Sequence, residues 1–436
     1  MRDFATSDSP AVQAQLDRLA ALSLPQGRFG LETITALCDR LGNPETKLPP
    51  VFHVAGTNGK GSTCAFLRAI LEMQGHCIHA ATKPHLVRYN ERVRLAGKLI
   101  EDEALADLLA EVLDAADGLG PSFFEVTTAA LFLAFARTPA DACIIEVGLG
   151  GRFDATNVIP APLVCGIASL GIDHEAFLLR PEDGVPADPL ARIAFEKASI
   201  AKPGVPLVVQ AYPERAASEV ARTAATHGAR LLARGDEWDA LVAGGGLIYR
   251  DGAGTLHLPL PALPGAHQAD NAALAVAMLR AQDRLAVSAQ AMAQGIRAAR
   301  WPARLQRLGA GPLTALAPGR AVWLDGGHNP DAGQAIARHF AGGPPLHLIM
   351  GMLANKDPAA LLAPLAGQLA SVSIVPAPGH EAHRPEDFTA HTSLPVQARA
   401  DVPDALAALP PGGDVLIGGS LYLAGEVLRL NRELPD

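Results

Sequence analysis

The run PPVFHVAGTNGKGSTCAFLRAILEMQG, residues 49–75, constrains the fold more than any other part of the chain. An apolar stretch enters a glycine-rich segment, and a long, mostly apolar stretch leaves it. This reads as strand, loop, helix. The usual phosphate-loop pattern is G-x-x-x-x-G-K-[ST]. Here Gly59-Lys60 is followed by Gly61, the hydroxyl comes one residue late at Ser62, and Val54 stands where the first glycine belongs. The parts an anion needs are still in order. Glycines let the backbone come close to phosphates, and the N–H groups of a helix start point at the negative charge. Lys60 can reach the terminal phosphates, and Ser62 or Thr63 can meet Mg2+. A plain glycine turn with an exposed lysine is the competing reading. The ordered set of strand, glycines, lysine and hydroxyls favours a nucleotide site.

The rest of the chain fits that start. VQAQLDRLAALSL and LETITALCDRLG read as helices flanking a glycine-containing loop. CIHAAT, DACIIEVG and PLVCGIASLG read as strands, with helical stretches between them. Alternating strands and helices predict an α/β fold with a mostly parallel sheet covered on both faces. GGGLIYRDGAGTLHLPLP reads as a hairpin turning near Asp251-Gly252. QADNAALAVAMLRAQ is a helix, and Trp301-Pro302 marks a boundary. Beyond it RAVWLDGG, PLHLIMGML, SVSIVPAP and DVLIGGS read as strands of a second, smaller α/β unit. The expected division is residues 1–300, a P-loop-type ATPase domain, and 301–436, a smaller Rossmann-like domain.

Composition narrows the function class. Of 436 residues, 49% are hydrophobic and 19% charged, which suffices for a sizeable core. The net charge of −9, with no basic run, argues against nucleic acid and anionic membranes as partners. The five cysteines are odd in number and form no C-x-x-C, so buried thiols in a reducing compartment are expected. The start, MRDFATSDSPAVQAQ, lacks a basic region followed by an apolar one. The longest apolar run, around AALFLAFA, is too short to span a bilayer. A soluble cytoplasmic protein is expected.

Several polar residues stand where open parallel sheets bind ligands. Glu146 closes the strand DACIIE, and SLGIDHE is read as ending the neighbouring strand with Asp173 and His174. Together these suit a phosphate-bound Mg2+. DPLARIAFEKASIAKPG is a helix capped by Asp188, stopped by Pro203-Gly204, and carrying Lys197 in an apolar setting. In the second unit, WPARLQ supplies Arg304. WLDGGHNPDAG supplies Asp325, His328 and Asn329, and GGSLYLAGEV supplies Ser420 and Tyr422. Each of these is also an ordinary candidate for a loop or a cap. An arginine facing a nucleotide would stabilise charge on a transferring phosphoryl group.

GTNGKGS, PHLVRYNERVR, FFEVTTAALF, EVGLGGRFDATN, EKASIAKPGVP, HQADNAALA, WPARL, LDGGHNP and GSLYLAGEV, taken in order, resemble the dihydrofolate synthase/folylpolyglutamate synthase family of Mur-ligase-like ATP-dependent amide ligases. The resemblance implies that ATP phosphorylates a pterin-bearing acid and that the amine of L-glutamate attacks the acyl phosphate. Water must be excluded, which a closing cleft between two domains would do. Position by position, the resemblance implies ATP contacts at Gly59, Lys60, Gly61, Ser62, Asn271, Arg304 and Asp325. It implies metal ligands at Ser62, Glu146, His174 and a carbamylated Lys197, with Lys60, His174 and Lys197 serving catalysis. It places Ser122, Phe123, Phe124, Glu125, Phe153, Asp154 and Ala155 in a dihydropteroate pocket. There Asp154 would accept two hydrogen bonds from the pterin, and Phe124 would offer a stacking face. His328 and Ser420 lie at the glutamate end in this reading. ATP and two Mg2+ ions are the implied cofactors, with K+ as a further candidate. Dihydropteroate, reduced folate and L-glutamate are the partners, and the chain is a monomer.

Two departures stand out. The family usually reads T-S-P-H-L where this chain reads TKPHL. The resemblance makes that serine a metal ligand, and the ammonium of Lys83 cannot bind Mg2+. Lys83 either contacts phosphate or turns away and leaves water on the metal. The stretch around LLRPEDGVPADP is longer than usual and is expected to alter a surface loop without touching the chemistry. Three rival functions are a folylpolyglutamate synthase lacking dihydrofolate synthase activity, a Mur-type cell-wall ligase, and a nucleotide-binding regulator. The second would need a UDP-binding domain ahead of the loop, where few residues stand.

Overall fold

A computed structural model describes residues 5–22, 30–381 and 383–436. The glycine-containing loop expected between the first two helices falls at 23–29, outside the described residues. The chain forms two compact units that are interleaved in sequence. The first draws on Met1–Lys83, Arg88–Ala262 and Ala269–Ala299, and the second on Pro84–Val87, Leu263–Gln268 and Arg300–Asp436.

In the first unit the strands are β1 (Val51–Ala55), β2 (Ile78–Ala81), β3 (Val93–Leu95), β4 (Lys98–Leu99), β5 (Ala142–Glu146), β6 (Val164–Ile167), β7 (Pro206–Val209) and β8 (Arg230–Ala233). They make one sheet in the order β4-β3-β2-β5-β1-β6-β7-β8. The pairs from β2 to β8 are parallel, while β3 and β4 add on antiparallel. β1 and β5 are buried at every residue, as strands covered on both faces must be.

The helices of this unit are α1 (Pro10–Ala20), α2 (Glu32–Arg40), α3 (Lys60–Met73), α4 (Asp102–Ala115), α5 (Phe123–Arg137), α6 (Glu175–Leu178), α7 (Pro189–Ala198), α8 (Glu214–Thr226), α9 (His267–Arg280), which begins in the second unit, and α10 (Ala289–Ala298). Val51, Cys143 and Ile145 join a core with α1, α2, α4 and α5. Cys165, Ile167, Leu207 and Val209 join one with α7 and α8. Successive strand residues face opposite ways, so Gly166 looks to the other side. A Cβ there would lie 2.3 Å from the Met278 sulfur, so glycine is what lets α9 rest on the sheet. β9 (Trp238–Ala243), β10 (Gly246–Asp251) and β11 (Gly254–Pro259) form a separate antiparallel sheet. The expected hairpin is β10–β11, and β9 is an additional strand.

In the second unit, β12 (Gln306–Arg307), β13 (Val322–Asp325), β14 (Leu346–Met350), β15 (Leu369–Ile374), β16 (Val396–Ala398) and β17 (Asp414–Gly418) make a sheet in the order β12-β13-β17-β14-β15-β16. It is parallel except for β12. Its helices are α11 (Pro330–Phe340), α12 (Ala359–Leu365), α13 (Pro385–Thr389), α14 (Val402–Ala407) and α15 (Leu421–Asn431). Val415 and Ile417 face a core with α14 and α15, and Leu416 faces one with α11 and α12. Alternation along one strand thus feeds two cores. Leu86 and Val87 pack into the α14/α15 core, and a Cβ on Gly425 would lie 1.9 Å from the Leu86 carbonyl oxygen.

Cys38, Cys64, Cys143 and Cys165 are buried free thiols, and Cys77 is exposed. Among the described residues no helix is long and apolar enough to cross a membrane.

Candidate active site

β1 lies between β5 and β6, where the sheet order reverses, and crevices at the carboxyl ends of such strands bind ligands. The glycine loop sits there. Gly59 caps α3 with φ 84°, a left-handed conformation. A Cβ on it would also meet the Asn271 Oδ1 at 2.3 Å, so both backbone and space require glycine. Thr57 braces the loop: its N–H donates to the Ser169 carbonyl (2.7 Å) and its hydroxyl to the Gly171 carbonyl (2.8 Å). The Lys60 Nζ donates to the Gly56 and Thr57 carbonyls at 3.0 and 3.3 Å. Ser62 and Thr63 are buried, and the Thr63 hydroxyl has no hydrogen-bond partner.

Glu146, 3% exposed, ends β5 beside Val54 of β1. Its Oε2 accepts the backbone N–H of Lys83 at 3.0 Å. Asp173 and His174 do not end a strand as expected. β6 stops at Ile167, and both residues stand in the loop beyond it because Ser169 and Gly171 are drawn to the glycine loop instead of continuing the ladder. His174 has φ 55°, unusual for a residue with a Cβ, and starts the short α6. Its Nε2 lies 4.0 Å from an Asp173 oxygen.

Lys197 is buried on α7. Burial, followed by the charge of Lys60, pulls its amine down to about 7, while Asp173, Asp154 and Glu196 oppose the shift. The segment after β5 packs directly on this helix. A Cβ on Gly151 would lie 2.5 Å from the Glu196 carbonyl oxygen and 3.1 Å from the Lys197 Cα, and the Arg152 N–H donates to that carbonyl at 2.8 Å. The longer stretch before α7 is more than a surface loop. Its Glu182 reaches Arg152 at 2.6 Å and Arg192 at 3.0 Å, and both arginines also meet the buried Glu196.

The residues expected around a pterin have internal duties. Ser122 and Glu125 form a capping box on α5, with the Ser122 N–H and hydroxyl both donating to the Glu125 Oε2 at 2.8 and 2.7 Å. Asp154 is engaged within its own loop. Its Oδ2 accepts Gly148 and Leu149 N–H, both at 2.9 Å, and its Oδ1 accepts the Thr156 N–H and hydroxyl at 3.0 and 2.5 Å. Four donors occupy a carboxylate's capacity, so in this conformation Asp154 shapes its own loop. The Thr156 oxygen accepts in turn from the buried His53 Nε2 at 2.8 Å. Phe123 meets Tyr89 edge-on at 6.1 Å, Phe153 lies under Arg152 at 4.2 Å, and Ala155 is buried. Phe124 crowds Gly148, where a Cβ would lie 2.3 Å from its ring.

The Lys83 side chain extends to Phe124 on α5. Its Nζ stands 3.8 Å from the centre of the Phe124 ring, buried and without a hydrogen-bond partner. Burial pulls it down to about 8, against the pull of Asp154, and Arg92 adds to the lowering.

In the second unit Arg304 lies between two left-handed residues, Ala303 (φ 53°) and Leu305 (φ 46°). Such strain collects at functional sites. Asp325, the last residue of β13, accepts Gly327 and Leu305 N–H at 2.7 and 2.8 Å. Burial raises its carboxyl, and Arg304 opposes this. The His328 Nδ1 donates to the Gly326 carbonyl at 3.0 Å. Asn329 caps α11, and the Ser420 Oγ accepts the Tyr422 N–H at 3.1 Å as the cap of α15.

No protein-family model matches the chain. Against curated proteins it is 34% identical over 409 residues to the dihydrofolate synthase/folylpolyglutamate synthase of Escherichia coli K12, covering 92% of this chain and 91% of that protein. The chain belongs to the dihydrofolate synthase/folylpolyglutamate synthase family. E. coli FolC, solved with DHPP and ADP, superposes with a TM-score of 0.84 at 32% identity over 97% of each chain. A bifunctional synthase solved with Mn, AMPPNP and L-glutamate superposes at 0.82 and 30% identity, over 97% of this chain and 98% of that one. The departure at Lys83 thus sits inside an otherwise family-typical fold. Among the described residues no three His, Cys, Asp or Glu side chains converge as a metal cage.

Proposed function

We propose that this chain is an ATP-dependent ligase that joins L-glutamate to dihydropteroate, giving dihydrofolate, and to reduced folates. The supporting observation is the grouping at the carboxyl end of the sheet. The glycine loop, Glu146 and Lys197 belong to elements that pair or pack on one another, and the charge of Lys60 is felt at Lys197.

The residues present fit a nucleotide with a divalent ion. Ser62 and Glu146 offer hard oxygen ligands, His174 an imidazole, and the buried Thr63 hydroxyl an unmet polar atom. When bound, Mg2+ neutralises phosphate charge during phosphoryl transfer. Lys60 leaves its loop carbonyls for the terminal phosphates. The acid's carboxylate oxygen attacks the γ-phosphorus, the bond to the β,γ-bridging oxygen breaks, and ADP leaves. The glutamate amine then attacks the acyl carbon, loses a proton, and expels phosphate. A second Mg2+, K+, Asn271, Arg304 and Asp325 at the nucleotide, and His328 and Ser420 at glutamate belong to the same proposal. Lys197 enters as its carbamate. A neutral amine adds to CO2 and releases a proton, and a lysine brought down to about 7 has that neutral form available.

The test is glutamate-dependent phosphate release from ATP with dihydropteroate or tetrahydrofolate as acceptor. Release with both supports the dual reading. Release with tetrahydrofolate alone supports the narrower synthase, and release with neither overturns the proposal.

A further inference from the structure

Lys83 presents an unusual problem in charge placement. Its Nζ is buried, makes no hydrogen bond, and rests on the face of Phe124 at 3.8 Å. A cation–π contact returns only part of what an ammonium loses on leaving water. The nearby carboxylates do not complete it. Asp154 is saturated by four donors from its own loop, and Glu146 instead receives the Lys83 backbone N–H. Arg92, buried against Tyr89 and Phe123, adds positive charge to the same wall. The ammonium protons, unpaired and set on an aromatic face, suit an anion carried on a flat ring.

We propose that Lys83 is a specificity-determining residue that receives the carboxylate of the acid substrate before it is phosphorylated. The inference rests on the ligase reading above and deepens it. The occupant is a carboxylate and not a nucleotide phosphate, because Lys60 already serves the glycine loop while the Lys83 side chain extends to α5. This chain thereby supplies a fixed cation to the acid itself.

The experiment measures binding to the full-length protein by calorimetry with ADP present. Its ligands are dihydropteroate and the analogue whose carboxylate is a carboxamide. The wild-type protein is expected to bind the acid at least tenfold more tightly than the carboxamide. Lys83→Met is expected to weaken the acid at least tenfold, leave the carboxamide and ADP within twofold, and raise KM for dihydropteroate but not for glutamate. Lys83→Arg is expected to recover most of the loss. Equal loss for acid and carboxamide would reduce Lys83 to a packing element of the Phe124 wall. A loss confined to ADP would assign it to the nucleotide. Either result, or equal wild-type affinity for acid and carboxamide, overturns the inference. The wild-type comparison needs no folded variant. Absence of glutamate-dependent turnover in the wild type would instead sink the ligase reading.

Discussion

Glu182 and Arg152 meet at 2.6 Å, and the same guanidinium reaches Glu196 at 3.0 Å, one residue before Lys197. Three of the four charged side chains come from the loop after β5 and from α7. The fourth, Glu182, comes from the longer stretch between α6 and α7. That stretch therefore braces the helix that carries the buried lysine.

Glu182→Gln leaves Arg152 and Arg192 to share Glu196. The expected cost is about 1–3 kcal/mol of stability, the range for a largely buried charge-assisted bond. Urea unfolding measures it, and turnover should fall with it. An unchanged midpoint would show that solvent already screens the pair.

Gly59→Ala places a side chain in a left-handed conformation and against Asn271. Strain of about 1–2 kcal/mol is expected from the backbone alone. ADP affinity, read by calorimetry, should drop at least tenfold. Retained affinity would show that the loop opens away from Asn271 when it binds nucleotide.

Lys197→Met should lower turnover by about 100-fold or more, the scale for losing a transition-state electrostatic partner. In wild-type enzyme, activity in CO2-depleted buffer should fall most below pH 7, where the amine is mostly protonated, and bicarbonate should restore it. Turnover indifferent to bicarbonate at every pH would rule out the carbamate.

His53 is held neutral by burial, its imidazole down at about 3 against an ordinary 6.5. Between those values the unfolded chain binds the extra proton. The stability from His53 is complete above pH 6.5 and is lost as pH falls toward 3, by about 1.4 kcal/mol per pH unit. Urea unfolding at several pH values should show this slope, and His53→Gln should remove it.

What could be read from sequence follows from how local each signal is. The glycine loop, β5 ending at Glu146 and the cap at Asp188 are written in contiguous residues. The alternation in WDALVA, with Trp238 and Ala240 buried between exposed neighbours, was there to be read as β9. The S-x-x-E of Ser122 and Glu125 likewise carries its capping role openly. PLVCGIASLG misled because its apolar run outlasts the ladder, which shifted Asp173 and His174 off a strand end. The contact of Lys83 with Phe124, and the reach of Glu182 to Arg152, join residues with no periodic relation. Only the folded chain brings them together.

The second unit takes Leu86 and Val87 from a segment flanked on both sides by the first unit. A fragment starting at Arg300 would keep the six strands but leave an apolar slot beside Gly425 open to water. No single cut in the chain separates the two units, because each is assembled from stretches that lie on both sides of the other.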